Sequence, residues 1–271
     1  MQRAGPEDSV FREERRPEGR RILPTPYAGG PWSPEHQHGG AVAALLARTV
    51  EQVESPVPMR VARLTIDMLR AVPMKPLTTA ARVLRAGKRV QGIEALILDG
   101  ETVVARATAL RARVDETLDL LEVREAPDPA LGQPPAELPP VDEEPAWKFA
   151  SGFLLAVDYV GSLSAQTGRA ACVWTRLRCP VMDGEVATPL VRLAALADLG
   201  SGVGNQIDHS RYTAINPDLS VSILREPAGD WIGVCGVTFR ARDGIAQSHA
   251  VFHDRMGPVA RMQAMLLLDR R

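Results

Sequence analysis

Residues 38–53, HGGAVAALLARTVEQV, contain the apolar run that decides the architecture we expect for this chain. The run from Ala41 to Ala47 is apolar on nearly all sides, and its continuation to Val53 gives a length typical of a helix. A helix of this composition is usually buried on all faces, whereas a surface helix is amphipathic. The sequence therefore predicts a central helix that other elements surround.

A second helix is predicted in the other half of the chain. Thr188 and Pro189 precede the apolar stretch 190–199. Threonine at the N-cap, followed by proline at the first helical position, is a favoured helix start. Residues 200–204, which include glycines at alternate positions, are expected to end this helix.

Extended segments follow each predicted helix. Residues 63–70 and 218–225 alternate mostly apolar with polar side chains, which is the period of a strand. Further strands are predicted at 77–84, 91–98, 102–114, 231–242, 246–253 and 259–268. The two halves thus repeat a unit of roughly 100 residues, a helix followed by antiparallel strands, and this is an α+β architecture.

Composition divides the chain into four parts. Residues 1–21 are rich in Arg and Glu and predict a poorly ordered, flexible tail. Residues 116–145 are acidic and proline-rich, which predicts a linker or a crossover on the surface. Residues 22–115 and 146–271 are the two expected folded domains.

Composition also excludes several classes of protein. The net charge is -1 and aromatic residues make up 4%, which argues against a nucleic-acid partner. The N-terminus lacks the apolar segment of a signal peptide, and no apolar run approaches the ~18 residues that cross a bilayer. We therefore expect a cytoplasmic protein without membrane insertion, in which Cys172, Cys179 and Cys235 are reduced thiols in apolar strands.

The segment before the first helix is a candidate binding site, made of His38, Gly39 and Gly40. Glycines let a ligand approach backbone N–H groups at a helix N-terminus, where the dipole favours negative charge on, for example, a carbonyl oxygen. The alternative is an ordinary tight turn leading into a helix. No metal site is predicted, because His36 and His38 have no third ligand nearby in the sequence.

Asp198 is the most unusual residue of the second predicted helix. It follows the apolar stretch 193–197, and an ionised carboxylate is costly to bury without a partner. None of the residues one turn away is basic. Asp198 therefore faces solvent at a helix end, has a partner distant in sequence, or is functional.

Two polar positions on strands complete the candidate set. Asn216 shares strand parity with Asp218 and Ser220, so the three side chains are expected on one face, and Pro217 indicates an edge, a strand start or a bulge. Gln263 stands between two apolar residues in the last predicted strand. The alternative for both positions is a solvated strand face.

Four short stretches, in the right order, resemble the acyl-CoA thioesterase family of the type II, double hotdog kind. They span residues 30–48, 191–200, 216–231 and 253–263, and the resemblance extends from about residue 30 to 268 with a gap over the linker. It implies an α+β double hotdog fold, in which two copies of a long central helix are each wrapped by a curved antiparallel sheet.

The resemblance also implies a site in which an Asp, a Thr-like polar residue and a Gln hold a hydrolytic water. The Asp corresponds to Asp198 and the Thr-like residue to Asn216. The Gln corresponds to Gln263 if one residue is deleted after Gly257, and to Met265 otherwise. The first half lacks this polar set, so one site per chain is expected.

The function implied by the resemblance is hydrolysis of a fatty acyl-CoA or related thioester, without a metal or organic cofactor. Asp198 is expected to act as a base on water or to orient it, while Asn216 and Gln263 position that water. The N-terminus of the first helix is expected to bind the substrate and polarise its carbonyl group. The resemblance also implies a homodimer or a higher homo-oligomer.

Two alternatives stay open. A non-catalytic acyl-thioester-binding protein could use the same cavity without turnover, and asparagine in place of the Thr-like residue favours it. A hotdog hydratase acting on enoyl thioesters is disfavoured, because the aspartate of that family is followed five residues later by histidine, and Val203 stands there in this chain.

Overall fold

The computed structural model describes residues 2–17, 19–118, 126–135, 152–161, 170–205 and 207–271. Within these ranges the chain forms two α-helices, α1 (Gly39–Glu51) and α2 (Pro189–Ala197), and thirteen strands. The strands in chain order are β1 (Phe11–Arg16), β2 (Gly19–Pro24), β3 (Met59–Met68), β4 (Thr78–Arg85), β5 (Val90–Asp99), β6 (Thr102–Arg113), β7 (Val157–Gly161), β8 (Ala171–Leu177), β9 (Tyr212–Ile215), β10 (Asp218–Ile223), β11 (Ile232–Arg240), β12 (Ile245–Asp254) and β13 (Gly257–Arg270).

Eleven of these strands form one large antiparallel sheet. Their order is β4-β5-β6-β3-β10-β13-β12-β11-β8-β7, with β9 paired to β13. The two halves of the chain join where β3 pairs with β10, and the hydroxyls of Thr65 and Ser220 lie 3.0 Å apart across this junction. Pairing the halves edge to edge protects an inner edge of each from other chains.

The first helix is central, as its composition predicts. Residues 40–50 of α1 are all buried, and the helix packs against strands β3–β6 on one side and against α2 on another. His38 is the N-cap residue, and its side chain lies 3.0 Å from the backbone nitrogen of Gly40. The apolar run therefore forms the core of the first half.

The second helix is shorter than expected, so the prediction of two long central helices is not confirmed. Helix α2 has nine residues, starts with the predicted Thr188 cap, and continues after Ala197 as a tighter 3₁₀ turn over Asp198–Ser201. A Cβ at Gly200 would collide with Met262 and Ala250. The glycine lets the 3₁₀ turn that follows α2 pass close to the sheet.

The predicted N-terminal tail is also corrected by the structure. In the described part of residues 1–21, β1 pairs with β2 as a hairpin, and Val10 and Phe11 are fully buried. The backbone nitrogen of Phe11 donates to the carbonyl oxygen of Val181 at 2.9 Å, which ties the hairpin to the second half. The charged composition concealed this because a few apolar side chains suffice to anchor a hairpin to an existing core.

Most of the predicted linker 116–145 lies outside the described residues. Its described part, 126–135, includes a 3₁₀ turn at Pro129–Leu131. Leu131 packs in a small cluster on the sheet, and its carbonyl oxygen accepts a hydrogen bond from Nε1 of Trp174 at 2.9 Å. This part crosses a surface of the sheet, and the domain boundaries at 22–115 and 146–271 stay predictions.

The cysteines differ from the three reduced thiols that we expected. Cys172 on β8 lies opposite Cys235 on β11, and the two form a disulfide. Cys179 is free and buried, and burial raises the pKa of its thiol to about 12. The two cysteines meet because β8 and β11 pair in one particular register, and the spacing of cysteines in the sequence does not reveal that register.

Neither α1 nor α2, the helices of the described chain, has the length and apolarity to cross a membrane.

Candidate active site

Asp198 is buried where the two helices meet. It follows the last residue of α2, and its side chain is 6% exposed. Oδ1 accepts a hydrogen bond from Nδ2 of Asn216 at 2.8 Å, and Oδ2 lies 3.1 Å from Nδ1 of His38. A residue distant in sequence is thus the partner of this carboxylate, and both halves of the chain contribute to the group.

The surroundings of Asp198 favour its ionised form. Burial raises the pKa of the Asp198 carboxyl, but the hydrogen bond and charge of His38, followed by hydrogen bonds from the Asn216 side chain and the Gly40 backbone, lower it further than burial raises it. The net result is a pKa below the ordinary value for aspartate. Asp198 is therefore a buried carboxylate that stays charged at neutral pH.

The proton of His38 can be placed from its contacts. Nδ1 lies close to a carboxylate oxygen of Asp198 and also 3.0 Å from the backbone nitrogen of Gly40. An unprotonated Nδ1 would direct its lone pair at the carboxylate, which is repulsive. We therefore assign a proton to Nδ1, which donates to Asp198. Nδ1 then cannot accept the N–H of Gly40 that lies beside it, and that N–H contributes a hydrogen bond to the same carboxylate.

The two glycines at the start of α1 allow the helices to approach this closely. A Cβ on Gly39 would lie 2.6 and 2.7 Å from the two carboxylate oxygens of Asp198. A Cβ on Gly40 would lie 2.5 Å from the carbonyl oxygen of Ala195 and 2.7 Å from Cε1 of Phe153. Glycine is required at both positions by close contact, since neither residue has a positive φ.

Asn216 lies in the short connection between β9 and β10. The carbonyl oxygen of the next residue, Pro217, accepts a hydrogen bond from the backbone nitrogen of Met68 at 2.8 Å, so the segment is fixed to the first half. The proline is thus at a strand start, one of the positions that the sequence allowed. This anchoring turns the Asn216 amide toward Asp198, whereas Ser220 pairs with Thr65 instead.

Gln263 does not join this group, which corrects the third predicted site residue. It is exposed on β13, opposite Ser220 and His249, and its neighbours Met262 and Ala264 are the buried ones. Met265, the other candidate, is 43% exposed. Positions 263 and 265 share parity and both face away from α2, so neither alignment brings a side chain to Asp198.

A cavity of about 640 Å³ borders the Asp198 group. His38, Gly39, Asp198 and Asn216 all line it, and much of its wall is apolar, including Val42, Met68, Val72, Leu154, Leu199 and Ala214. Trp32 and His209 also line it, with their rings 5.7 Å apart. Sequence patterns did not predict this wall, because its residues come from segments that only folding brings together.

The described residues include one group of possible metal ligands within coordinating range of one another, namely Asp128, Cys172 and Cys235. Its two sulfurs form the disulfide, and none of the three residues lines the Asp198 cavity. The residues around Asp198 are suited to holding a water molecule and a carbonyl group, with a charged acceptor, an amide and a helix N-terminus.

Family models match most of the chain. The model of the acyl-CoA thioesterase N-terminal domain matches residues 28–112, and the model of the acyl-CoA thioesterase C-terminal domain matches residues 135–268. The chain belongs to the acyl-CoA thioesterase family. Thioester hydrolysis is accordingly the class of reaction to which this acyl-CoA thioesterase is assigned.

Solved structures confirm the hotdog fold. A hot dog fold protein of unknown function from Alicyclobacillus acidocaldarius is 16% identical, with a TM-score of 0.68 and 92% of each chain covered. An acyl-CoA thioesterase II from Mycobacterium marinum is 20% identical, with a TM-score of 0.62, and 86% of this chain and 89% of that chain are covered. No curated protein matches the chain at a significant level.

Proposed function

We propose that this acyl-CoA thioesterase hydrolyses its substrate with a water molecule that Asp198 activates. The observation that carries the proposal is the buried, ionised carboxylate of Asp198, held by Asn216 at 2.8 Å beside a largely apolar cavity. A general base must be ionised and fixed within reach of water, and these contacts supply both conditions.

In the proposed reaction, Asp198 accepts a proton from water while the water oxygen attacks the thioester carbonyl carbon. Because Nδ2 of Asn216 donates to Asp198, its Oδ1 is left to accept a hydrogen bond from that water. The carbon–sulfur bond then breaks, and the proton held by Asp198 passes to the departing sulfur, which releases the thiol and the free acid and returns Asp198 to its ionised form. The reaction as proposed uses protein groups and water, without a metal or organic cofactor.

The N-terminus of α1 is the proposed site for the thioester carbonyl. Gly39 lines the cavity and lies in the first helical turn, where backbone N–H groups have no partner within the helix. Its N–H is the group that we assign to polarise the carbonyl oxygen, because the N–H of Gly40 is directed to Asp198. The apolar wall of the cavity suits a fatty acyl chain, so we propose a fatty acyl-CoA or related thioester as substrate.

The test is the variant Asp198→Asn, which keeps the shape of the side chain and removes the proton acceptor. Turnover of acyl-CoA substrates of graded chain length should fall by about 10²–10⁴ because a positioned base is lost. The control is Asp243→Asn, which changes an exposed carboxylate in the β11–β12 turn and should leave turnover unchanged. Full activity of Asp198→Asn would refute the proposal.

A non-catalytic acyl-thioester-binding protein is the second candidate. One observation favours it: Asp198 already accepts hydrogen bonds from His38, Asn216 and Gly40, and a lowered pKa weakens a carboxylate as a base. Calorimetry with acyl-CoA would distinguish the two candidates. Binding without turnover in the unmodified protein supports this alternative, and binding with turnover that is lost in Asp198→Asn supports hydrolysis.

A further inference from the structure

We propose that His38 is a positioning residue that holds the Asp198 carboxylate in its catalytic orientation from across the boundary between the two halves. This inference rests on the proposed function, because it concerns the base of that reaction. His38 then acts by holding Asp198, whereas its position at the N-terminus of the first helix had predicted a direct contact with substrate.

His38 is itself held in place by its surroundings. Its side chain is 10% exposed, and its ring lies 5.0 Å from the ring of Phe153. As the N-cap residue, its backbone carbonyl accepts the first helical hydrogen bond, from Val42. A ring that is fixed by packing and by a helix start is suited to fixing a second group.

The contacts of Asp198 then leave little freedom to the carboxylate. Asn216 holds Oδ1 and His38 holds Oδ2, and the backbone N–H of Gly40 adds a third donor. A carboxylate offers roughly four acceptor positions. Three donors therefore leave about one direction in which Asp198 can accept a proton from water, and His38 is needed to define it.

The other end of the helix pair offers an internal comparison. There the N-cap of α2, Thr188, donates through its hydroxyl to Glu51 at the end of α1, with 2.6 Å between oxygens. In both cases the residue at the N-cap position of one helix donates to a carboxylate at the end of the other. Thr188 also accepts the N–H of Val191 through the same hydroxyl at 3.2 Å, whereas a protonated Nδ1 of His38 cannot accept the N–H of Gly40. Burial, together with the charge of Glu226, raises the pKa of Glu51 despite the Thr188 bond, whereas the pKa of Asp198 is lowered.

This comparison separates capping from positioning. Serine, threonine and asparagine are better N-caps than histidine, so capping alone does not account for histidine at position 38. Compared with a hydroxyl, the imidazole reaches further and places an N–H against a carboxylate. The structure pairs the imidazole of His38 with Asp198, the carboxylate that borders the cavity of about 640 Å³.

The experiment compares three variants of the full chain. His38→Ser keeps a good cap but is too short to reach Asp198, so kcat should fall by about 10²-fold, the scale for a misplaced catalytic group, with KM nearly unchanged. His38→Asn puts an amide N–H near the position of Nδ1 and should recover most of that loss. His38→Asp keeps the cap but opposes a second carboxylate to Asp198, and should lose at least as much as His38→Ser.

The pH profile gives the readout that a purely structural role would not change. The His38 hydrogen bond and charge lower the pKa of Asp198, so their removal raises it. The acid limb of kcat should therefore move to higher pH in His38→Ser and further in His38→Asp, but little in His38→Asn. Thermal melts show whether each variant folds. If His38→Ser does not fold, His38→Asp is compared with His38→Asn in its place.

The outcomes distinguish this inference from the proposed function. An inactive Asp198→Asn, together with the predicted order of the His38 variants and the shifted limb, supports both. An inactive Asp198→Asn with equal losses in all His38 variants, or with an unmoved acid limb, overturns the role of His38 alone. A fully active Asp198→Asn overturns the proposed function and this inference with it.

Discussion

Nδ1 of His38 lies 3.1 Å from Oδ2 of Asp198, although the two residues belong to different halves of the chain. The contact joins the N-terminus of α1 to the end of α2, where two glycines allow the backbones to approach. The candidate site is thus shared between the halves, and neither half contains it alone.

The variant Gly39→Ala tests how closely the helix start is fitted to Asp198. A Cβ there would lie 2.6 Å from Oδ1, so the carboxylate must move, and we expect kcat to fall by about 10²-fold. Alanine favours a helix more than glycine does, so a loss of activity without a comparable loss of thermal stability is the expected pattern. Gly92→Ala is the control, because its Cβ would meet nothing closer than 3.5 Å. Equal activity in the two variants would contradict the close fit.

Asn216→Ala should shift the pH dependence of the enzyme. The Asn216 amide donates to Asp198 and lowers its pKa, so its removal raises the pKa of that carboxyl. Since the base acts when ionised, activity should be lost at a higher pH as the solution is acidified, and kcat at neutral pH should fall by about 10–100-fold. Steady-state kinetics from about pH 3 to pH 9, a range that extends below the ordinary pKa of aspartate, would measure both effects. An acid limb that stays in place would show that Asn216 does not act on Asp198.

Gln263→Ala should leave catalysis intact. The side chain is exposed on the face of β13 opposite the helices, and surface substitutions of this kind usually change stability by less than about 0.5 kcal/mol. We expect kcat within about twofold of the unmodified protein by the same acyl-CoA assay, since the residue does not reach the water site. A large loss would restore the role that the family resemblance assigned to Gln263.

The disulfide between Cys172 and Cys235 should be detectable in protein purified without reductant. Intact mass should rise by about 2 Da on reduction. The bond closes a sequence separation of 63 residues, so reduction should lower the unfolding free energy by about 2–4 kcal/mol. Denaturant titrations with and without reductant would show the difference. The double variant Cys172→Ser/Cys235→Ser is the control and should not respond to reductant.

Exposed apolar side chains on one face of β11, β12 and β13 predict that the chain self-associates. Phe239, Ile245, Met265 and Leu267 are each more than two-fifths exposed there, and Ile245 lies opposite Leu267 in the sheet. Contiguous exposed apolar residues of this kind typically mark an interaction surface. We expect a homodimer or larger species by sedimentation at micromolar concentration, and Leu267→Glu should weaken it. A single species near the 29.4 kDa of one chain would contradict this prediction.

Much of the fold followed from local patterns. The apolar run of α1, the Thr188–Pro189 start of α2 and the strand alternations depend on side chains a few residues apart, so the sequence displays them directly. The length of α2 did not follow, because the 3₁₀ turn after its end at Ala197 packs Gly200 against Met262 and Ala250 on the sheet, which are distant in sequence. The N-terminal hairpin was missed for a related reason, since its anchoring contacts lie in the other half.

The sequence by itself determined the class of fold and drew attention to Asp198, because an unpaired carboxylate in an apolar helix is a local anomaly. Strand patterns also singled out Asn216 and Gln263, and the resemblance gave both of them a role in holding water, but neither argument showed which of the two reaches Asp198. Only the tertiary structure decided that His38 is the partner of Asp198, that Asn216 joins them, and that Gln263 faces away. The physical reason is that these relationships depend on strand register and on the approach of two helices, and both are set by contacts between segments far apart in the chain.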